Sequence, residues 1–269
     1  MMDYRKNRIA HLEKYAQSCS LFDKVGWKVT EKKTYWHVLK PIGDKDERVK
    51  KYNILEGVAP DLLKSLQRDA DHLNSSQIMC YNFFRPLMDN NKKLLIELLS
   101  RHGIAITENA QCNFEYNDSK DKGIDGRQEK TEFDFHIIDA AMETEVFFEI
   151  KYTEQAIGRW SKESATKDNF DNFYKPMLPN KCCALKTNEI DFNDRFIKDY
   201  QLFRNTLRVR NDKQYSIFIY PKANNRIDKQ FDAFKRDFVT LDSNIQKWYW
   251  EDLYEGKEDT EFYRKYLGQ

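Results

Sequence analysis

The sequence predicts an α/β fold in which a mixed β-sheet is flanked by helices, with helical additions at both ends of the chain. Three observations support this class. Apolar residues recur at helical spacing before Gly103 and again over residues 193–209. Short runs rich in Phe, Ile and Val lie between these segments, and a further apolar run, YSIFIY, occupies 215–220 before Pro221. Because side chains repeat at different periods in helices and strands, these changes of spacing separate the two kinds of element.

Two consecutive helices are predicted before Gly103. The first occupies residues 75–87, begins with a serine that can act as N-cap, and ends near Pro86. The second takes Asn90 or Asn91 as its N-cap, and Gly103 lies beyond its end. Its apolar stripe repeats at helical spacing and consists of Leu94, Leu95, Leu98 and Leu99.

Three strands are predicted after these helices. The first lies within residues 104–116 and leads into a polar, glycine-containing loop at 117–130. The second and third are the runs TEFDFHII and TEVFFEIKY, and the short link DAAME between them favours an antiparallel hairpin. With the later helix and strand, the predicted order is helix, three strands, helix, strand.

The chain divides into three predicted parts. Residues 1–88 are a mainly helical N-terminal extension, and residues 89–245 are the core that contains the sheet. Residues 246–269 are rich in aromatic and acidic residues, which favours a helix packed on the core with a negative outer face.

Composition excludes several classes of protein. Hydrophobic residues make up 40% of the chain and aromatic residues 14%, which is enough apolar surface to exclude a disordered chain. No stretch approaches the roughly 20 apolar residues that span a bilayer, and no apolar block follows the basic N-terminal residues, so we expect neither a membrane nor a secreted protein. The 5 cysteines are odd in number and form no CxxC motif, which favours reduced thiols and a cytoplasmic location. GxGxxG and GxxxxGK[ST] motifs are absent, which excludes dinucleotide-binding and P-loop classes.

Two acidic residues and a lysine lie in the predicted hairpin. Strand alternation places Asp134 on the face opposite Phe133 and Phe135, and it places Glu149 and Lys151 together on one face of the next strand. If the strands are neighbours, the two carboxylates converge at one end of the sheet. Magnesium takes one or two protein carboxylates and completes its shell with water and phosphate oxygens, so the pair predicts a site for Mg²⁺ or Mn²⁺. A nearby ammonium can stabilise charge on a phosphoryl oxygen, and the combination predicts phosphodiester hydrolysis.

These residues resemble the signature of the PD-(D/E)xK phosphodiesterases, in which an Asp is followed downstream by Glu or Asp, any residue, and Lys. Asp134 and the run Glu149-Ile150-Lys151 match it, although Phe133 stands where the signature has Pro. The resemblance implies a restriction-endonuclease-like core, metal ligation by Asp134 and Glu149, and a catalytic role for Lys151. It also implies supporting roles for three further residues, which are Glu115, Glu154 and Gln201.

A narrower similarity covers most of residues 74–224. The blocks SSQIMCYNFFRPL, NFEY, EFDFHI, FFEIKYTE and YQLFRNTLRV followed by YSIFIYP resemble a bacterial family catalogued as restriction endonucleases. An alternative interpretation of the acidic residues and lysine is a salt-bridge ladder on an edge strand.

Basic residues concentrate late in the chain, although the net charge is only +1. Residues 201–236 contain far more Lys and Arg than Asp and Glu, as a surface that follows a phosphate backbone requires. Arg204 and Arg208 lie on one polar stripe of the predicted helix, and we expect them to bind nucleic acid. An ordinary solvated helix face is the alternative.

The resulting functional prediction is a metal-dependent nuclease that hydrolyses phosphodiester bonds of nucleic acid, with DNA as the expected substrate and restriction or defence as the implied role. The alternative is a catalytically inactive module with the same fold that binds nucleic acid or serves assembly. The sequence leaves open the recognition sequence, the strandedness of the substrate, the choice between DNA and RNA, and whether the chain forms a homodimer.

Overall fold

The computed structural model describes residues 4–19, 27–30, 34–60, 66–118, 131–162, 165–181, 184–186 and 190–268. The predicted loop at 117–130 lies largely outside the described residues, and its first two residues belong to a strand. Among the described residues, no helix combines the length and the apolar character needed to cross a membrane.

The N-terminal part contains a small sheet as well as helices. Its elements are α1 (Tyr4–Ser18), β1 (Trp27–Val29), β2 (Thr34–Leu39) and α2 (Lys45–Tyr52). The strands β1 and β2 pair antiparallel. The prediction of a mainly helical extension therefore missed a hairpin, whose aromatic and β-branched residues fit a pleated surface.

Two helices lead into the main sheet, α3 (Ser76–Leu87) and α4 (Asp89–Arg101). The side chain of Ser75 caps α3 by accepting from the backbone N–H of Ile78, as predicted. Asn90 and Asn91 do not act as the predicted N-cap, because both have left-handed backbone angles inside the segment that opens α4. Asparagine tolerates this conformation better than most residues, so the pair makes a tight turn between the two helices.

Within the described residues, five strands form the main sheet in their chain order. They are β3 (Gln111–Asp118), β4 (Thr131–Asp139), β5 (Thr144–Ile150), β6 (Gln214–Tyr220) and β7 (Ile245–Tyr249). The pairs β3–β4 and β4–β5 are antiparallel, whereas β5–β6 and β6–β7 are parallel. The predicted mixed sheet is confirmed. Because β5 is its central strand, an edge-strand ladder at Glu149 and Lys151 is excluded.

The remaining helices flank this sheet. They are α5 (Lys167–Asn169), a π-helical segment (Phe170–Tyr174), α6 (Lys175–Lys181), α7 (Asp194–Lys198), α8 (Tyr200–Thr206), α9 (Asn225–Phe238), α10 (Trp250–Leu253) and α11 (Glu261–Tyr266).

Two predicted helices differ from the structure. The helix predicted over 193–209 is two helices, α7 and α8, that meet at Asp199, whose buried carboxylate accepts hydrogen bonds from Arg195 and Gln230. The single helix predicted over 246–269 is also wrong, because its first residues form β7. Pairing with β6 satisfies backbone groups that would otherwise lie on an open sheet edge.

Both faces of the sheet are covered by aromatic side chains. On one face, Phe84 of α3 stacks on Phe135 of β4, with 4.1 Å between ring centroids. On the other face, Phe203 of α8 packs against Phe234 of α9, and both belong to the cluster that contains Phe218 of β6. The helices on the two faces therefore fix the sheet from both sides.

A lysine is buried where α11 meets the N-terminal part. Lys265 is 1% exposed, and its Nζ donates to the backbone oxygen and to Oδ1 of Asn53, at 2.7 and 2.8 Å. Burial lowers the pKa of Lys265 to about 7. Since the unfolded chain keeps an ordinary lysine pKa of about 10.4, the unfolded state binds more protons between these two values.

The free energy of unfolding should therefore rise as pH increases from about 7 to about 9.5, and Lys265→Met should lose this rise. One pKa unit corresponds to about 1.4 kcal/mol, so the gain peculiar to the wild type should be on the order of 3 kcal/mol. Urea titrations of both proteins across this pH range measure it. Parallel curves for the two proteins would show that Lys265 carries its charge in the folded state.

Candidate functional site

The predicted site lies where the hairpin strands separate. Regular pairing of β4 with β5 runs to Phe135 and Phe148, and the next residues along are Asp134 and Glu149. Asp134 therefore leaves the backbone ladder at the position opposite Glu149. Its Oδ2 accepts a hydrogen bond of 2.6 Å from the backbone N–H of Ile150, so a carboxylate takes the place of a backbone partner.

The face alternation of β4 breaks at the same point. Phe133 packs on Phe147, with 4.7 Å between centroids, whereas Phe135 packs on Phe148, which lies on the other face of β5. The prediction that Phe133 and Phe135 share a face is therefore wrong. The β3–β4 ladder skips Asp134 and the β4–β5 ladder ends at Phe135, so the strand is irregular between the two phenylalanines.

Glu149 lies at the centre of a buried polar cluster. Glu149 as a whole residue is only 4% exposed. Its Oε1 accepts a hydrogen bond of 2.7 Å from Nζ of Lys151, and its Oε2 accepts one of 2.9 Å from Nδ2 of Asn205 in α8. The sequence therefore correctly predicted that Asp134, Glu149 and Lys151 come together at the end of two neighbouring strands.

Charge crowding shifts the pKa values in this cluster. Burial raises the pKa of Asp134 well above its ordinary value, the charge of Glu149 raises it further, and Lys151 only partly opposes this. Burial alone would lower the pKa of Lys151, but Glu149, Glu154 and Asp134 outweigh it and raise that pKa above its ordinary value. The lysine therefore carries its positive charge at neutral pH.

Glu115 reaches the same cluster from β3. The β3–β4 register places it opposite Asp134, and Nε2 of Gln67 donates to its Oε2 at 3.1 Å. Burial raises the pKa of Glu115 to about 7, and the charge of Glu149 contributes. Its φ of 49° is left-handed, which is uncommon for a residue with a side chain and is typical of sites that need a particular orientation.

The other two supporting residues are placed differently. Oε2 of Glu154 accepts from the backbone N–H of Tyr152 at 2.6 Å, and its charge raises the pKa of Lys151, so it belongs to the cluster. Gln201 instead holds the loop after β5, because its Oε1 accepts from the backbone N–H of Gly158 at 2.9 Å. A Cβ at Gly158 would lie 2.8 Å from that oxygen, so a side chain at this position would push the amide of Gln201 aside.

Residues from the N-terminal and C-terminal helices form hydrogen bonds with Lys151 and Tyr152, which follow β5. Nε1 of Trp250 donates to the backbone oxygen of Lys151 at 3.1 Å. The hydroxyl of Tyr152 donates to the backbone oxygen of Tyr266 at 2.8 Å, and the hydroxyl of Tyr4 donates to the backbone oxygen of Tyr152 at 3.0 Å. The backbone at Lys151 is therefore fixed by residues from α1, α10 and α11.

One predicted nucleic-acid contact is corrected by the structure. Arg208 is 2% exposed, and its Nη2 donates to Oγ1 of Thr131 at 2.8 Å. It therefore does not lie on an exposed stripe with Arg204, because the chain leaves α8 before residue 208 and turns this side chain inward. Arg204 is half-buried, with its guanidinium 5.6 Å from the centroid of Tyr200 and its Nε 3.5 Å from Oδ1 of Asn205. Arg204 therefore remains a candidate for contact with nucleic acid.

The rest of the basic segment is largely paired with acidic side chains. These ion pairs are Lys213–Glu143, Lys222–Asp252, Lys235–Asp242 and Arg236–Asp237. Residues 201–236 therefore do not form one uninterrupted basic surface.

The sequence did not predict the hydrogen bond between Asn205 and Glu149. Helical spacing placed Asn205 beside Arg204, but no local signal pointed to its partner Glu149, which lies 56 positions earlier. Only the packing of α8 on the face of the sheet that carries Glu149 brings the two side chains together.

The donor set fits a hard divalent cation. The described residues contain no group of three or more His, Cys, Asp and Glu side chains placed to hold a metal ion by themselves. Asp134 and Glu149 supply two carboxylates, which is as many as Mg²⁺ usually takes from protein. Lys151 opposes their charge only in part, and Glu115 and Glu154 add further negative charge. A divalent cation would therefore relieve the crowding that contributes to the raised pKa of Asp134.

A family model described as "Restriction Endonuclease associating with ARP" matches residues 12–267. No match was found among curated proteins or among solved structures. The mixed five-stranded sheet flanked by helices is consistent with the predicted restriction-endonuclease-like fold. The sheet also brings Asp134, Glu149 and Lys151 together, as the predicted fold requires. Because the family model matches almost the entire chain, this chain belongs to that restriction endonuclease family.

Proposed function

We propose that this protein is a metal-dependent endonuclease that hydrolyses phosphodiester bonds of DNA. The observation that carries the proposal is the convergence of Asp134, Glu149 and Lys151 where β4 and β5 separate. Glu149 is buried, and Asp134 and Lys151 beside it are half-buried. Charged groups withdrawn from water in this way are destabilising unless they are paired or bind an ion.

In this proposal, Asp134 and Glu149 hold Mg²⁺ or Mn²⁺. The cation supplies activation of a water molecule and neutralises charge on the scissile phosphate. Lys151 acts as a fixed positive charge that orients the nucleophile or stabilises the developing phosphoryl charge. Its Nζ lies 2.7 Å from Oε1 of Glu149, which supports this role because it places the positive charge beside the proposed cation site.

Restriction or defence in the cytoplasm is the biological setting that we propose, in line with the family and with the cysteine content. The family description also names an association with ARP, and we extend that association to this chain. The alternative, an inactive module that only binds nucleic acid, is separated from the enzyme by the first experiment.

That experiment is a cleavage assay on double-stranded DNA, single-stranded DNA and RNA with Mg²⁺, with Mn²⁺ and with a chelator. We expect cleavage of DNA that needs the metal and is lost in Lys151→Ala. Lys50→Ala is the matched control, because Lys50 also pairs with a glutamate, Glu47, but lies on α2. Binding without cleavage by the wild type under all conditions would favour the inactive module.

The two arginines of the predicted stripe should behave differently. Arg204→Ala should weaken DNA binding similarly for all sequences and make the dependence of log affinity on log salt shallower by about one unit, because one phosphate contact is lost. Arg208→Ala should leave that slope unchanged and lower the free energy of unfolding by about 2 kcal/mol, because it removes packing and a buried hydrogen bond. Binding titrations at several salt concentrations and urea unfolding measure both effects. Equal salt slopes for the wild type and Arg204→Ala would remove Arg204 from the interface.

A further inference from the structure

We propose that Asn205 is a positioning residue that holds Glu149 in the orientation needed for metal binding. The inference rests on the proposed function and adds a residue to its site. Asn205 is 0% exposed, Glu149 is 4% exposed, and Nδ2 of the amide lies 2.9 Å from Oε2 of the carboxylate. A hydrogen bond between two side chains so deeply buried is not replaced by water when it is lost.

The chemistry of the two groups fixes the orientation of the amide. A carboxylate only accepts hydrogen bonds, so the nitrogen of Asn205 faces Glu149 and its oxygen faces away. That oxygen lies 3.5 Å from Nε of Arg204, which is a donor. The neighbours on both sides of the amide therefore favour the same orientation.

Asn205 and Lys151 hold the two oxygens of Glu149 from different directions. Lys151 donates to Oε1 and Asn205 donates to Oε2, which restricts rotation of the carboxylate about its last bond. An asparagine is suited to this task because it donates a hydrogen bond without bringing a second positive charge. The negative charge that a cation needs is thereby kept, while the direction of the carboxylate is set.

Hydrogen bonds and apolar packing fix the position of α8, the helix that carries Asn205. The backbone N–H of Gln201 donates to the oxygen of Gly158 at 3.0 Å, and its side chain accepts from the N–H of the same glycine. The neighbouring Leu202 and Phe203 are buried in the cluster on this face of the sheet. The helix that carries Asn205 is therefore attached both to the loop after β5 and to the sheet.

The test is direct titration of Mn²⁺ into the full chain, without nucleic acid, by isothermal calorimetry. Asn205→Leu keeps the volume but removes the donor, and we expect its Kd for Mn²⁺ to rise about 10- to 100-fold, the usual effect of losing a hydrogen-bond partner of a metal ligand. DNA binding in the presence of a chelator should stay within about twofold of wild type, because Asn205 is fully buried and cannot itself contact DNA.

Asn244→Leu is the matched control. Asn244 is also a buried asparagine, but its Nδ2 donates to the backbone oxygens of Asp212 and Gln214, away from the cluster. We expect it to lose stability while keeping the wild-type Kd for Mn²⁺. A general loss of stability would raise the Kd in both variants, whereas a positioning role raises it in the Asn205 variant alone.

Asn205→Ser is a second variant for the case in which the leucine variant does not fold. Serine is polar but too short to reach Glu149. A wild-type Kd for Mn²⁺ in a folded Asn205 variant would overturn the inference. Failure of both variants to fold would also overturn it, because Asn205 would then be a structural residue. If the wild type neither binds Mn²⁺ nor cleaves DNA, the proposed function itself is overturned. If the wild type does both and the Asn205 variants match it, the inference alone is wrong.

Discussion

Glu149→Gln is expected to reduce metal-dependent DNA cleavage by more than about 100-fold while the protein stays folded. The substitution keeps the shape of the side chain but removes its charge, so it removes one of the two carboxylates proposed to hold the cation. Loss of a partner of a metal ligand already costs about 10- to 100-fold, and loss of a ligand should cost more. Single-turnover cleavage rates at saturating DNA measure the effect.

Glu143→Gln is the control for this experiment. Glu143 also forms an ion pair with a lysine, since its Oε2 lies 3.1 Å from Nζ of Lys213, but it is exposed in the turn between β4 and β5. Its cleavage rate should equal that of the wild type. Cleavage by a folded Glu149→Gln variant at the wild-type rate would remove Glu149 from the mechanism.

Trp250→Ala should lower the free energy of unfolding by about 3 to 5 kcal/mol. Trp250 is fully buried, and its ring lies 5.1 Å from that of Phe83 and 5.8 Å from that of Phe262. Truncation removes these contacts, leaves a large cavity, and frees the backbone oxygen of Lys151. Urea unfolding at neutral pH gives the value.

Trp250→Phe separates packing from hydrogen bonding at this position. Phenylalanine keeps most of the ring contacts but cannot donate to Lys151, so the loss should fall to about 1 to 2 kcal/mol. A loss as large as that of the alanine variant would show that the indole hydrogen bond is the main stabilising contact of this side chain.

The placement of the acidic pair could be predicted because it depends on local rules. Asp134 and Glu149 lie in short apolar runs joined by a short turn, and such runs pair as a hairpin. Residues at matching distances from a hairpin turn lie opposite each other, so neighbouring strands bring these carboxylates to one end of the sheet. The chemical roles of both residues stay predictions until cleavage is measured.

The predictions that proved wrong or incomplete concern contacts between residues that are distant in sequence. Arg208 has the spacing of an exposed helix residue, yet its helix ends earlier and Thr131 receives its side chain. Residues 246–249 were predicted to begin the C-terminal helix, but they pair with the open edge of β6 as part of β7. Asn205 could not be assigned to Glu149, because packing of a helix on a sheet decides that contact. Periodicity carries no information on such pairings.

The hydrogen bonds at Lys151 and Tyr152 have a consequence for how this protein can be shortened. Tyr4 lies near one terminus and Tyr266 near the other, and both bind the backbone or side chain of Tyr152, directly after the lysine of the site. A fragment limited to residues 89–245 would lose these bonds together with the indole of Trp250. The backbone around Lys151 therefore depends on residues far outside 89–245, and we expect such a fragment to lose the fixed position of this lysine.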